Sequence, residues 1–131
     1  MPEPIRSAAF VRGVDLDALA AAGATEREVH RLIDATGGVE SCRINVIRTP
    51  AGGGSPEGRH THAVDQIFFI LAGVMNVEAG ADRFEAGPGS LVVLPAGVPH
   101  RNWNDGAVAT IHLAIAAPAP DPDRPFATPA E

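Results

Sequence analysis

His60-Thr61-His62, with Gln66 four residues further on and His100 in a separate stretch, are the side chains whose types and spacing could do chemistry. Residues i, i+2, i+4 and i+6 of a strand project from one face. On one extended segment, His60, His62 and Gln66 are expected to share a face while Asp65 points away. Imidazoles converging on one point make a transition-metal site, because neutral ring nitrogen suits zinc, iron, copper and nickel. The run Gln66-Ile67-Phe68-Phe69-Ile70-Leu71 is rich in β-branched and aromatic residues and ends at Ala72-Gly73, so it reads as a strand. His-x-His alone is a weak motif, and a single histidine after Pro-x-Gly is ordinarily a turn residue. Their surroundings decide the matter, whereas His30 and His112 fit no such spacing and read as ordinary residues.

The second stretch is an apolar strand, Leu91 to Leu94, that runs into Pro95-Ala96-Gly97, then His100 and, four residues later, Asn104. Gly54-x5-His60-x-His62-x3-Gln66-x6-Gly73 resembles the first cupin motif, and Gly89-x5-Pro95-x-Gly97-x2-His100-x3-Asn104 resembles the second. Together they cover about residues 54–104. The resemblance implies an all-β fold, a cupin-type jelly-roll β-barrel with short N-terminal helices and a metal inside its mouth. It matches His60, His62 and His100 to three metal ligands, and sets Gln66 where most members have a glutamate ligand. The cofactor it implies is a divalent transition metal, iron first, with manganese, nickel, zinc and copper as alternatives. In cupins a leading strand often pairs with a partner subunit, so residues 5–12 imply a homodimer.

The elements that position these residues can be read from periodicity. Asp15 is an N-cap candidate for a helix from Leu16 to Ala22, closed by Gly23. Thr25-Glu26-Arg27-Glu28 reads as a capping box opening a second helix, with Val29, Leu32 and Ile33 on one face and a stop at Gly37-Gly38. Glu40 to Thr49 reads as a strand with Cys42, Ile44 and Val46 on one face; the glycine-rich segment 50–58 is an irregular loop. A single strand over 60–71 is followed by strands at 74–79, 83–85 and 108–115. The tail from Ala117 carries five of the twelve prolines and is expected to be mobile or loosely draped. The expected organisation is an N-terminal appendage over 1–39, a barrel over 40–116 and a tail over 117–131.

At 131 residues, with 45% hydrophobic and 20% charged residues, the chain has the make-up of one globular domain. A net charge of −6 without a basic run argues against a nucleic-acid partner. The longest apolar stretch is broken by Gly73 and Asn76 and is too short to span a bilayer, and Met1-Pro2-Glu3-Pro4 has neither a basic region nor an apolar run, so no secretion signal is expected. A cytoplasmic protein is the simplest expectation. Cys42 is the only cysteine, so no intrachain disulfide can form. The chain has no tyrosine and its ten basic residues are all arginine, which excludes a tyrosine acid and lysine Schiff-base chemistry.

Glutamine in place of glutamate leaves a divalent ion with about +2 rather than +1 of site charge, which favours an anionic ligand such as a carboxylate or enolate. Val64, Phe68 and Ile70 fall at ligand parity and Trp103 follows His100 closely, so these four are the candidate substrate-binding residues. Phe68 and Trp103 have plain core roles as the competing reading. Arg59 and Arg101 flank ligands, but their parity points them to the surface. The function expected is a metal-dependent, oxygenase-like enzyme acting on a small organic acid or carbonyl compound. The alternative is a non-catalytic cupin that binds a small molecule or metal.

Overall fold

Burial alternates along the central strands and sets the architecture. In the segment Asp65–Ala72, Gln66, Phe68 and Ile70 are buried while Asp65 and Phe69 face out, as a strand with one face on a core requires. The computed structural model describes residues 5–7, 11–33, 39–54 and 58–130. Its elements are β1 (Ile5–Ser7), β2 (Arg12–Val14), α1 (Leu16–Ala21), β3 (Glu28–Ile33), β4 (Arg43–Thr49), β5 (His60–His62), β6 (Asp65–Ala72), β7 (Met75–Ala79), β8 (Asp82–Ala86), β9 (Leu91–Leu94), β10 (His100–Trp103), β11 (Thr110–Ala117) and β12 (Ala127–Pro129). One five-stranded sheet has the order β3-β4-β11-β6-β9 and a second has the order β12-β5-β10-β7-β8, while β1 and β2 pair with each other. All pairings are antiparallel.

The main core contains Ile47, Phe68, Ile70, Leu94 and Val92 from the first sheet and Met75, Val77 and Ala86 from the second. A smaller cluster joins Leu19 of α1 to Val46 and Ile111 on the other face of the first sheet. As expected, Asp15 caps α1, its Oδ1 accepting from the Ala18 backbone N–H at 3.0 Å. Among the described residues no helix is long and apolar enough to cross a membrane.

Three expectations are corrected. The second helix is instead β3, paired with β4 from Glu28↔Arg48 to Ile33↔Ile44; its expected stop at Gly37-Gly38 lies outside the described residues. The capping signal at Thr25 loses because β4 offers an open ladder, and Val29 and Ile33 are β-branched and suit a strand. The single strand over 60–71 breaks at a bend at Ala63 and Val64, which sends β5 and β6 into different sheets. Gln66 therefore approaches the histidines from the opposite sheet. The bend is held by its neighbours: Asp65 Oδ1 accepts from the Ala96 N–H at 2.9 Å, and the Gly97 N–H donates to the His62 carbonyl at 3.0 Å. Finally, the proline-rich tail ends in β12, which pairs residue by residue with β5.

Gly73 turns β6 into β7 at φ 74°, and a Cβ there would lie 2.6 Å from the Ala109 carbonyl oxygen and 3.0 Å from Thr110 Cα. Both the dihedral and the backbone contact oppose any side chain. Gly73→Ala is expected to cost more than about 2 kcal/mol, read as a lower urea midpoint.

Candidate metal centre

His60 on β5 and His100 on β10 are direct partners across two antiparallel strands, and His62 follows two residues along β5, on the same face. The three rings meet with centroids 4.5 Å (His60–His100), 4.7 Å (His60–His62) and 5.0 Å (His62–His100) apart. All three are buried, and one potential ligand nitrogen from each lies within 4.8 Å of the others.

Each ring has its Nδ1 on a backbone carbonyl: His60 on Gly58 at 2.5 Å, His62 on Phe126 at 2.8 Å and His100 on Val98 at 2.9 Å. A carbonyl oxygen only accepts, so each Nδ1 must carry the proton. In the neutral ring this leaves Nε2 with its lone pair, the form a metal needs. Anchoring the other ring nitrogen is also how metal-ligating histidines are usually oriented. Burial, reinforced by the charges of His60 and His62 and opposed by the Val98 carbonyl, lowers the His100 pKa to about 4. That ring is consequently neutral near pH 7.

Gln66 Oε1 lies 3.2 Å from His100 Nε2. With Nδ1 protonated, both atoms are lone-pair acceptors, and two acceptors do not bond to each other. Two ligands each about 2.1 Å from one ion lie roughly 3.0 to 3.4 Å apart between right-angled and tetrahedral arrangements. The donor set therefore fits a divalent transition metal, with Gln66 offering a neutral oxygen to a site of three imidazoles.

A cavity of about 190 Å³ opens beside these groups, between the two sheets. Of the four candidate substrate residues, only Phe68 lines it. Val64 sits at the bend and lines a neighbouring cleft of about 230 Å³. Ile70 is buried in the core. Trp103 donates its Nε1–H to Asp105 at 2.7 Å and carries Arg101 over its ring at 4.7 Å. Arg59, Arg83 and Arg101 all converge on Glu78 at 2.9, 2.8 and 3.5 Å. The Arg83 guanidinium, aided by Arg59 and Arg101, holds the Glu78 carboxyl below its ordinary pKa. Asn104 serves the fold: its amide donates to the Thr49 and Val108 carbonyls, and its oxygen accepts from Gly106.

Sequence reasoning missed Arg27, Arg31, Arg43 and Phe126, all of which line the cavity. Strand parity over Arg27, Val29 and Arg31 was the available signal, hidden by the helical reading. Phe126 is the one aromatic residue of the tail; its ring stacks on His62 at 4.0 Å and its carbonyl holds that histidine.

His112 is also more than an ordinary residue. It is buried, with neither ring nitrogen hydrogen-bonded among the described residues, and packs on Phe68 at 4.6 Å. Burial, with a smaller contribution from Arg27, lowers its pKa from 6.5 to about 3. The unfolded chain then binds a proton below about pH 6.5 that the folded chain refuses until near pH 3. Stability is full above that window and falls with pH inside it, by up to about 1.4 kcal/mol per pH unit for one such group. His112→Leu is expected to flatten that slope, so its urea midpoint should gain on the wild type more at pH 5 than at pH 7.5.

Several solved structures share this fold. A protein of Thermus thermophilus superposes with a TM-score of 0.68 at 24% identity, covering 81% of this chain and 96% of that one. The polyketide cyclase RemF of Streptomyces resistomycificus gives 0.69 at 22% identity, over 83% of this chain and 74% of its own. A sugar phosphate isomerase from a cupin superfamily, from Silicibacter pomeroyi, gives 0.63 at 24%, over 72% and 60% of the two chains. An uncharacterised protein of Streptomyces coelicolor is 31% identical over 48 residues, 37% of this chain; the match spans 46%, under half, of that relative's length. The cupin domain family model matches residues 45–115, more than half of the chain and both histidine-bearing segments. With two antiparallel sheets around a cluster of three histidines, this chain belongs to the cupin family.

Proposed function

We propose that His60, His62, His100 and the Gln66 side-chain oxygen hold a divalent transition metal, iron first, in an oxygenase-like enzyme acting on a small organic acid or carbonyl compound. The observation that carries this reading is the common orientation of the three histidines, each tied by Nδ1 to a carbonyl so that Nε2 is left for a ligand. The bound metal would supply Lewis acidity and redox chemistry toward a coordinated oxygen atom. The chain's own residues do the rest. Ile47, Phe68, Ala114 and Ala116 give the cavity apolar walls that limit water. Gln66 adds no negative charge, so an anionic substrate meets an undiminished positive centre. The apolar side chains Phe69, Leu91 and Val93, exposed on β6 and β9, support extending the reading to a homodimer; the cytoplasm is its expected compartment.

Anaerobic loading with iron(II), followed by oxygen-uptake assays on diketones, thiols and aromatic acids, tests the proposal. Metal-dependent turnover that disappears in His62→Ala is expected, and no turnover across the panel would contradict catalysis. The second reading, a binding module, is favoured by one observation: no carboxylate among the described residues lines the cavity to act as a general base. Recovery of a tightly bound ligand chemically unchanged would select it.

A further inference from the structure

Arg43, Ala116 and Gln66 stand in register across three adjacent strands, β4, β11 and β6. The next inward-facing row is Arg31, Asn45, Ala114 and Phe68, across β3, β4, β11 and β6. In-register residues project from the same face, here into the cavity that all of them line. One end of each row thus carries a guanidinium, β11 in the middle contributes only a methyl group to each, with Asn45 standing next to Arg31 in the second row, and the far end reaches the metal centre or the ring beside it. Strands lie about 4.8 Å apart, so the backbones at Arg43 and Gln66 are on the order of 10 Å apart. Two alanines between them leave the floor open for a ligand. A cavity of about 190 Å³ is smaller than the roughly 300 Å³ at which pockets for drug-sized molecules begin.

The arginines are also oriented. Arg31 donates through Nε to Asn45 Oδ1 at 2.9 Å. The Arg43 guanidinium lies 4.2 Å from the centre of the Phe126 ring, whose opposite face must take His62, because two groups cannot share one face at these distances. Arg27, one residue before β3, lines the same wall. Guanidinium groups in fixed positions bind carboxylates and phosphates through paired charged hydrogen bonds.

We infer that the cavity takes a small dianion, a dicarboxylate of about three to six carbons, with one anionic end at the metal centre and the other on Arg31 and Arg43 over the Ala114–Ala116 floor. Arg27 adds positive charge at the same end. This deepens the proposed function and rests on it only for the near end of the ligand.

The test compares matched acids by titration calorimetry, using protein loaded with one equivalent of nickel(II) and metal-free protein. Each 2-hydroxy dicarboxylate from three to six carbons is paired with the 2-hydroxy monocarboxylate of equal length. At least one dicarboxylate is expected to bind about tenfold or more tightly than its partner. Arg31→Gln and Arg43→Gln should each remove most of that preference while leaving monocarboxylate affinity and nickel stoichiometry unchanged. Arg31→Lys should retain part of it, and Arg83→Gln, on the outer face, should retain all of it. Thermal unfolding of each variant checks that it is folded. If nickel does not bind, the metal reading fails on its own. If no dicarboxylate is preferred in either form, or the Arg83 variant loses the preference equally, the dianion site is overturned.

Discussion

His62→Ala is expected to lose more than about 100-fold in metal affinity, because removing a ligand must exceed the roughly 10–100-fold effect of disturbing a ligand's outer partner. The ring has no substitute: Thr61, next to it on β5, projects to the other face of the strand. Gln66 should behave differently. Gln66→Ala deletes a neutral oxygen and should cost about tenfold or less, since imidazole is the main donor. Gln66→Glu should keep the metal and tighten it, while weakening an anionic ligand by lowering the charge of the centre. Competition against a chromophoric chelator measures all three variants. Unchanged affinity in His62→Ala would remove the metal assignment, and a Gln66 effect as large as that of His62 would make the amide the dominant donor.

Truncation before Phe126 is expected to lower metal affinity by about 10–100-fold without unfolding the sheets. Two losses coincide there. The His62 Nδ1–H loses its acceptor, the Phe126 carbonyl at 2.8 Å, so the ring can change tautomer and rotate. Strand β5 also loses its ladder with β12, which pairs Ala127 with His62 and Pro129 with His60. The main core draws on other strands and should persist. Phe126→Ala keeps the carbonyl and removes only the ring stacked on His62, so it should cost less than the truncation. Chelator competition, alongside a urea unfolding curve to verify the fold, distinguishes the three chains. Equal affinity in the truncated and full chains would show that the tail has no part in holding His62.

Much of this was legible in the residues. The strand limits at Leu91–Leu94 followed from an apolar run that ends at Pro95, and the structure has them. The three histidines were legible because their spacing is fixed by glycine- and proline-anchored turns that leave local marks. Gln66 was expected beside the histidines and lies there, but by a route that the bend at Ala63 and Val64 replaced: nothing in His-Ala-Val-Asp marks a change of sheet. Arg27 and Arg31 were hidden because a capping signal favours a helix, while the ladder that overrides it is non-local. Phe126 was hidden for a similar reason. Its partner His62 lies 64 residues away, and a proline-rich composition says nothing about which carbonyl a distant imidazole will find.

X-ray absorption of protein carrying one equivalent of zinc or cobalt tests the metal centre most directly, because imidazole rings give outer-shell scattering that counts them. Three imidazoles with one further oxygen ligand are expected in the wild type, and no more than two imidazoles in His62→Ala. Fewer than three imidazoles in the wild type, or identical spectra for the two proteins, would contradict a metal held by His60, His62 and His100.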